Sequence, residues 1–285
     1  MRRARGAQYG PGVDDIPDVP ALTGNPDSTT PTTPDAPEDG YFGASVAARY
    51  DDPDDGMFSP CAVVPAVDFL EELAAGGPAL EFGVGTGRIA LPLAHRGVPV
   101  HGIDLSRAMV ERMREKEGGA ELPVTIGDFA TTRADGPYKP GDFTLVYLVF
   151  NTLMNLTTQE AQVACFRNAA AHLAPGGTFA VEVAVPDLRL LAPGQEAVPM
   201  EISATRWAFD RYEVATQSMS SNYIEVEGGR GSYRSIPFRY VWPAELDLMA
   251  QLAGLRLRDR WEGWRGERFD DCSGRHVSVW ERPRG

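Results

Sequence analysis

The sequence predicts an α/β fold, a mostly parallel sheet with helices on both faces, followed by a smaller antiparallel insert. Three observations predict it. Short apolar runs alternate with amphipathic stretches from Pro78 to Val185 at the spacing of strand–helix–strand units. Gly83-Val84-Gly85-Thr86-Gly87 joins the first run to the first amphipathic stretch, and Asp104 ends the second run. Beyond residue 205 the rhythm changes to three β-type segments separated by polar turns.

Residues 1–40 are rich in Pro, Asp, Thr and Gly and almost free of aromatics, so they bury too little surface to offset their ordering entropy. They are predicted to be a disordered tail. The folded domain is expected over 41–285, opening with short helices near 43–50 and 60–74. Ala79 to Gly83 reads as a buried strand ending in a glycine turn. Ile89 with Leu93 and Ala90 with Ala94, at i and i+4, make a helix that stops at Gly97. Val98 to Ile103 is the second strand. Ser106 caps a helix whose Met109, Val110 and Met113 share one face. Pro123 to Ile126 is the third strand, and Phe143 to Phe150 the fourth, long enough to be central. Thr157 and Glu160 form a capping box for a helix over 158–173. Pro175-Gly176-Gly177 then turns the chain into a fifth strand, Thr178 to Val185. The antiparallel insert, 205–241, divides into strands near 206–214, 217–227 and 231–241. Pro243 opens a helix that Gly254 closes, and strands near 255–262 and 275–281 complete the chain.

Composition narrows the partners. The formal charge is −13, and an acidic chain repels phosphate backbones, which argues against nucleic acid. The excess is uneven: residues 1–55 hold eleven acids and four arginines, so the body is only mildly acidic and has room for a local basic groove. Cys61, Cys165 and Cys272 lie far apart, without zinc-ligand spacing, and are expected to be reduced, mostly buried thiols with no metal. The basic start is followed by Gly, Pro and Asp instead of an apolar segment, and nowhere does the chain reach the ~18 apolar residues of a membrane span. A cytoplasmic protein is expected, as a monomer or homodimer.

The chemistry concentrates in Glu81-Phe82-Gly83-Val84-Gly85-Thr86-Gly87 with Asp104. Glycines belong where a ligand lies against the backbone, and an acid ending the second strand can accept hydrogen bonds from ribose hydroxyls. Two cofactor classes use this frame. In the dinucleotide fingerprint the last glycine follows the second by three residues, whereas Gly87 follows Gly85 by two. Glu81 would also repel a pyrophosphate but not a cationic ligand.

On these residues the segment resembles the class I S-adenosylmethionine-dependent methyltransferases, whose first motif is a hydrophobic strand, an acid and G-x-G-x-G. The resemblance implies the Rossmann-like fold of that family: a seven-stranded, mostly parallel sheet, here with an antiparallel lid insertion. It also implies cofactor roles. Glu81 would face the methionine ammonium, while Gly83, Gly85 and Gly87 would lie against the methionine and ribose. Asp104 would bind the ribose diol, with Leu105 beside the adenine. Gly127-Asp128-Phe129 is similar to the family's adenine-contacting motif, so Asp128 would meet the exocyclic amine and Phe129 the ring. Leu148 to Asn151 would line the methionine end, and Tyr50 would close over the cofactor.

Methyl transfer from a sulfonium is an in-line displacement, so the protein mainly aligns the acceptor and excludes water. A hydroxyl acceptor also needs a base. His95 and His172 lie near helix ends, where a histidine is usually solvated or dipole-facing, and His101 and His276 lie within strands; a structural role is expected for each of the four. Tyr147, Asn151 and Glu182 are the catalytic candidates, because family active sites open at the ends of the fourth and fifth strands. The Asn/Asp-Pro-Pro-aromatic signature of nucleic-acid amino-methylating enzymes is absent from Asn151–Asn155. The insert resembles the lid of methyltransferases acting on small molecules, with Trp207, Tyr212, Tyr240 and Trp242 as pocket candidates. The implied function is methyl transfer to nitrogen or oxygen of a metabolite or natural product. Two alternatives stay open: a protein or RNA acceptor, and a non-catalytic cofactor-binding partner subunit.

Overall fold

A computed structural model describes residues 39–51 and 56–284, all within the unit Ala36–Gly285. Apart from Asp39 and Gly40, the predicted tail lies outside the described residues.

The short helix α1 (Ala44–Tyr50) precedes α2 (Pro60–Ala74), which starts with proline at its first position, where no N–H is needed. Four parallel strands follow: β1 (Ala79–Phe82), β2 (Val100–Asp104), β3 (Val124–Ile126) and β4 (Phe143–Leu148). Helix α3 (Ala90–His95) links β1 to β2, and α4 (Arg107–Arg114) links β2 to β3. Ser106 caps α4 by accepting from the Met109 N–H at 3.0 Å. Helix α5 (Gln159–His172) is capped by Thr158, which accepts from Ala161 N–H at 3.1 Å, one residue later than the capping box predicted. It runs without a break into β5 (Leu173–Ala184). The predicted Pro-Gly-Gly turn is absorbed into that strand as a bulge, where the register against β4 jumps from Phe143↔Leu173 to Leu145↔Thr178.

The main sheet has seven strands in the order β3-β2-β1-β4-β5-β11-β10, where β10 is Arg256–Trp261 and β11 is Arg275–Glu281. Only β11 runs antiparallel to its neighbours. Buried residues alternate along β4: Phe143, Val146 and Leu148 join one core with α5 and α6 (Pro243–Leu252), and Leu145 and Tyr147 join another with α2 and α3. A sheet covered on both faces needs such strands. Chain order reverses between β1 and β4, and ligands of open α/β sheets bind outside the carboxyl ends of strands at such a point.

The lid is a second sheet of four antiparallel strands, not three: β6 (Ala197–Ile202), β7 (Arg206–Glu213), β8 (Ser218–Glu227) and β9 (Arg230–Arg239). Pro199 marks β6 as an edge strand, and a bulge follows it. The lid is anchored at its other edge. Arg239 on β9 is buried and donates to Glu245 of α6 at 2.7 Å, Gln162 of α5 at 2.6 Å and Gln217 at 3.1 Å.

Two other expectations are corrected. Cys61, in the first turn of α2, and Cys272, in a loop, are exposed, and only Cys165 is buried. His172 is fully buried instead of solvated, accepting from the Ala134 N–H at 3.0 Å. Burial also pushes His101 down to about 4 and His276 to about 3, so both are neutral core residues. Among the described residues no helix is long and apolar enough to cross a membrane, and no group of three His, Cys, Asp or Glu could hold a metal ion.

Candidate functional site

The carboxyl end of β1 leads into the glycine loop. Gly83 and Gly85 take φ of +70° and +54°, in the left-handed region that side chains disfavour. A Cβ on Gly83 would sit 2.6 Å from the Thr152 methyl, so only glycine keeps this wall open. Gly87 differs: a Cβ there would meet Met113 and Leu91, so it serves helix packing and does not line the cleft.

Asp104, ending β2, organises the loop. Its carboxylate accepts from Gly85 N–H at 2.6 Å and Ser106 N–H at 2.8 Å. Burial raises its pKa, and these two donors pull it back down. Together these residues enclose a cleft of about 490 Å³, within the ~300–1,000 Å³ of small-molecule sites. Leu105, Asp128 and Phe129 also line it, with Phe129 stacked on Phe82 at 5.9 Å. Asp128 caps its own turn by accepting from Ala130 N–H at 2.8 Å.

The segment before β1 straps this cleft. Asp39 accepts from Arg107 N–H at 2.6 Å, and Ser106 donates its hydroxyl to Phe42 C=O at 2.6 Å. Asp51 then accepts from Thr86 Oγ1 at 2.6 Å and pairs with Lys116 at 2.8 Å, fixing the end of α1 on the glycine loop. Tyr50 is thereby held at the cleft, between Phe42 and Phe58 in edge-to-face contacts of 6.2 and 6.0 Å.

Glu81 is only 2% exposed, and its carboxylate accepts from the Tyr147 hydroxyl at 3.0 Å. Burial pushes its pKa to about 8, against the lowering pull of the Tyr147 hydrogen bond. Tyr147 is fully enclosed, and its own pKa is driven well above the usual phenol range, first by burial and then by Glu81. It therefore cannot reach an acceptor and is corrected from catalytic candidate to the partner of Glu81. Leu148 also stays in the core instead of lining the methionine end, because the sheet is covered along its whole length and opens only beyond the strand.

Past β4 the backbone makes an uncommon turn. Phe150 and Asn151 have φ of +53° and +60°, two successive left-handed residues with side chains. The turn is braced on both sides: Asn151 Oδ1 accepts from Ala184 N–H at 2.6 Å, and Glu182 accepts from Phe150 N–H at 2.8 Å. Asn151 borders the cavity beneath the lid. Glu182 instead faces a different cavity, beside Arg88 and Arg275.

The lid cavity encloses about 440 Å³. It shares Phe42, Tyr50, Thr152, Asn155 and Ile236 with the glycine-loop cleft, so the two meet there. Tyr212 and Tyr240 line it, their rings 5.6 Å apart, as do Met219 and Phe238. Burial, followed by Asp210, raises Tyr212 to about 12, so it stays protonated. Trp207 is half exposed on the other face of β7, its indole N–H donating to Ser203 C=O, and it borders no part of the cavity. Trp242, at the start of α6, is 39% exposed and also outside it.

Sequence reasoning missed Asp210, the one charged residue lining the lid cavity among the described residues. Its carboxylate accepts from Ser221 Oγ at 2.6 Å; burial raises its pKa and the Ser221 bond opposes that. The strand's two-residue period gives the signal, since Asp210 shares a face with Tyr212.

The cleft fits a nucleoside-bearing cofactor. The glycines clear space for a backbone-hugging ligand, the Asp104 carboxylate offers remaining lone pairs to a diol, and Leu105 and Phe129 give apolar surface for a ring. A family model described as a methyltransferase domain matches residues 79–177. The chain is 26% identical over 233 residues to the cypemycin N-terminal methyltransferase of a Streptomyces species, covering 79% of this chain and 91% of that protein. Among solved structures, the CcbJ methyltransferase from Streptomyces caelestis is similar at 35% identity and a TM-score of 0.72, covering 85% of this chain and 98% of that one. The fold is also that of CalS10 with bound S-adenosylmethionine, an amino pentose methyltransferase from Micromonospora echinaspora, at 22% identity and a TM-score of 0.56, covering 76% and 89% of the two chains.

Proposed function

The chain belongs to the S-adenosylmethionine-dependent methyltransferases of class I, and from that premise we propose that it methylates a nitrogen or oxygen of a small molecule held under the lid, an amine being favoured. The observation that carries this reading is the shared wall of Phe42, Tyr50, Thr152, Asn155 and Ile236, where the cofactor cleft meets the lid cavity. The cofactor is S-adenosylmethionine, which supplies an electrophilic methyl group when bound.

The chain's own residues supply placement. Asp104, Leu105 and Phe129 would hold the adenosine end, and Glu81 the ammonium. Tyr50 and Phe42 would keep water from the junction. Under the lid, Tyr212 and Tyr240 stay protonated, so each would serve an acceptor as a hydrogen-bond donor and not as a base. Asp210 is the group that attracts a cationic amine. Its raised pKa suits it to take the proton an ammonium must lose before its lone pair can attack. Similarity to an N-terminal methyltransferase, and a fold shared with an amino pentose methyltransferase, support an amine. A cavity of about 440 Å³ favours a small acceptor over a protein or RNA, and its open volume argues against a non-catalytic role. The enzyme is taken to act in the cytoplasm, as a monomer or homodimer.

The test is methyl transfer from labelled cofactor to matched panels of amines and alcohols. Amines are expected to accept, with Asp210→Asn lowering their kcat/KM by about a hundredfold or more. Methylation of alcohols alone would overturn the amine preference, and equal activity of Asp210→Asn would remove Asp210 from the site.

A further inference from the structure

Another cavity, of about 760 Å³, adjoins the lid cavity and shares Tyr223, Ile236, Tyr50, Phe42 and Phe150 with it. Its charged lining is Arg49, Arg206, Arg234 and Glu225, a cationic excess in a chain of net charge −13. Arg206 and Arg234 both pack on the Tyr223 ring, at 5.7 and 4.9 Å from its centroid. Arg206 has Glu201 at 3.3 Å and Glu225 at 3.9 Å, and Arg49 donates to Ser45 C=O at 3.3 Å. Arg234 is half-buried, yet no carboxylate lies within 4 Å of it among the described residues. A guanidinium fixed on a ring with its donors unspent is a common way to bind an oxyanion. Arg234 and Arg49 also act on Tyr41, whose ring lines this cavity. Burial raises the Tyr41 pKa, Arg234 and then Arg49 oppose it, and the hydroxyl has no hydrogen-bond partner among the described residues.

The lid's register sets the spacing. Asp210, Ser221 and Ile236 form one row across β7, β8 and β9; Ala208, Tyr223 and Arg234 form the row two residues outward; Arg206, Glu225 and Ser232 form the next. At ~3.4 Å per residue the rows are about 7 Å apart, and at ~4.8 Å per strand β9 lies about 10 Å across from β7, so the Arg234 backbone stands about 12 Å from that of Asp210, and Arg206 about 14 Å along β7. The same face of the lid thus carries an anion inward and cations outward.

We propose that this outer cavity is a subsite for a carboxylate or phosphate on the methyl acceptor, making the acceptor amphoteric, with its amine at Asp210 and its oxyanion at Arg234 and Arg206. The assignment rests on the reading of the lid cavity as an amine site.

Calorimetry on the full chain saturated with S-adenosylhomocysteine tests it, using ε-aminocaproate, aminobutyl phosphate and hexylamine. The two anionic amines are expected to bind about tenfold more tightly than hexylamine, the scale of a charge-assisted bidentate contact. Arg234→Gln should erase that preference while leaving hexylamine affinity unchanged, and Arg206→Gln should reduce it. The better of the two anionic probes identifies the oxyanion. Hexylamine binding as tightly as the anionic amines, or a preference that survives Arg234→Gln, would overturn this subsite and leave the amine reading standing. Failure of all three probes to saturate would overturn both. Arg234-dependent binding of a short RNA, without preference among the amines, would give the cavity to nucleic acid and overturn the subsite.

Discussion

Glu81 gives the sharpest prediction, because its ionisation ties folding to cofactor binding. Its folded pKa is about 8 against an ordinary value of 4.5, owing to burial beside Tyr147. Between those values the native protein holds one proton that the unfolded chain releases. Stability therefore falls as pH rises through this window, by up to ~1.4 kcal/mol per pH unit for this one group. From pH 5.5 to 7.5 the loss is about 2–3 kcal/mol. Glu81→Gln keeps the shape and stays neutral, so it should remove this slope. His101 and His276 have depressed values, and they make stability rise with pH below their ordinary value of 6.5. Their effect cancels when the two proteins are compared at each pH. The assay is urea unfolding of both without cofactor, from pH 5.5 to 8. The stability difference should change by the stated amount in favour of the variant as pH rises, and a constant difference would mean that Glu81 is already ionised in the native state. If Glu81 meets the cofactor ammonium, binding below pH 8 also releases a proton, so affinity should fall about tenfold per unit as pH drops. Calorimetry in buffers of different ionisation heat counts that proton; a count of zero at neutral pH would remove Glu81 from the ammonium site.

Three further outcomes follow from particular contacts. Asp104→Ala removes the partner of two backbone N–H groups on the cleft wall as well as a diol acceptor, and should weaken cofactor binding by about 2–3 kcal/mol; calorimetry showing unchanged affinity would reject the assignment. Trp207→Ala should leave kcat/KM within about twofold, since the indole lies on the lid's outer face; a large loss would return Trp207 to the pocket. Arg239→Met takes the one cation from Glu245, which keeps only the Gln159 and Gln217 amides, and removes the donor to Gln162; it should cost about 3 kcal/mol in urea unfolding, with Glu245→Gln recovering part of it; a loss below ~1 kcal/mol would show that the lid is anchored elsewhere.

The parallel half was readable because its inner strands are covered on both faces and its helices carry a cap or a stop. Ser106, Pro60 and Gly97 act locally, and the glycine loop with Asp104 is contiguous in sequence or one strand away. The lid was harder for physical reasons. β6 contains Pro199 and is largely exposed, so it carries neither the alternation nor the residue types of a core strand. The period of two, applied strictly, separates Trp207 from Tyr212, because an odd offset puts them on opposite faces. The same rule points to Asp210. Leu148 illustrates a limit: where both faces of a strand are buried, alternation cannot say that the ligand space begins beyond its end. The placement of Tyr223 and Arg234 one row outward of Asp210 depends on pairing register, which depends in turn on turns and bulges far from any of the three.

The lid's asymmetric attachment has a consequence for how such an enzyme diversifies. Its β9 edge is riveted to α5 and α6 through Arg239, whereas β6 pairs only with β7 and exposes most of its residues. Residues added, lost or exchanged along β6 and the turn into β7 can reshape one side of the lid cavity, where Met200 stands, without disturbing the rivet or the glycine loop. Donor recognition and acceptor choice are then inherited separately. A lineage built on this plan can try new acceptors while the methyl-donor half remains intact.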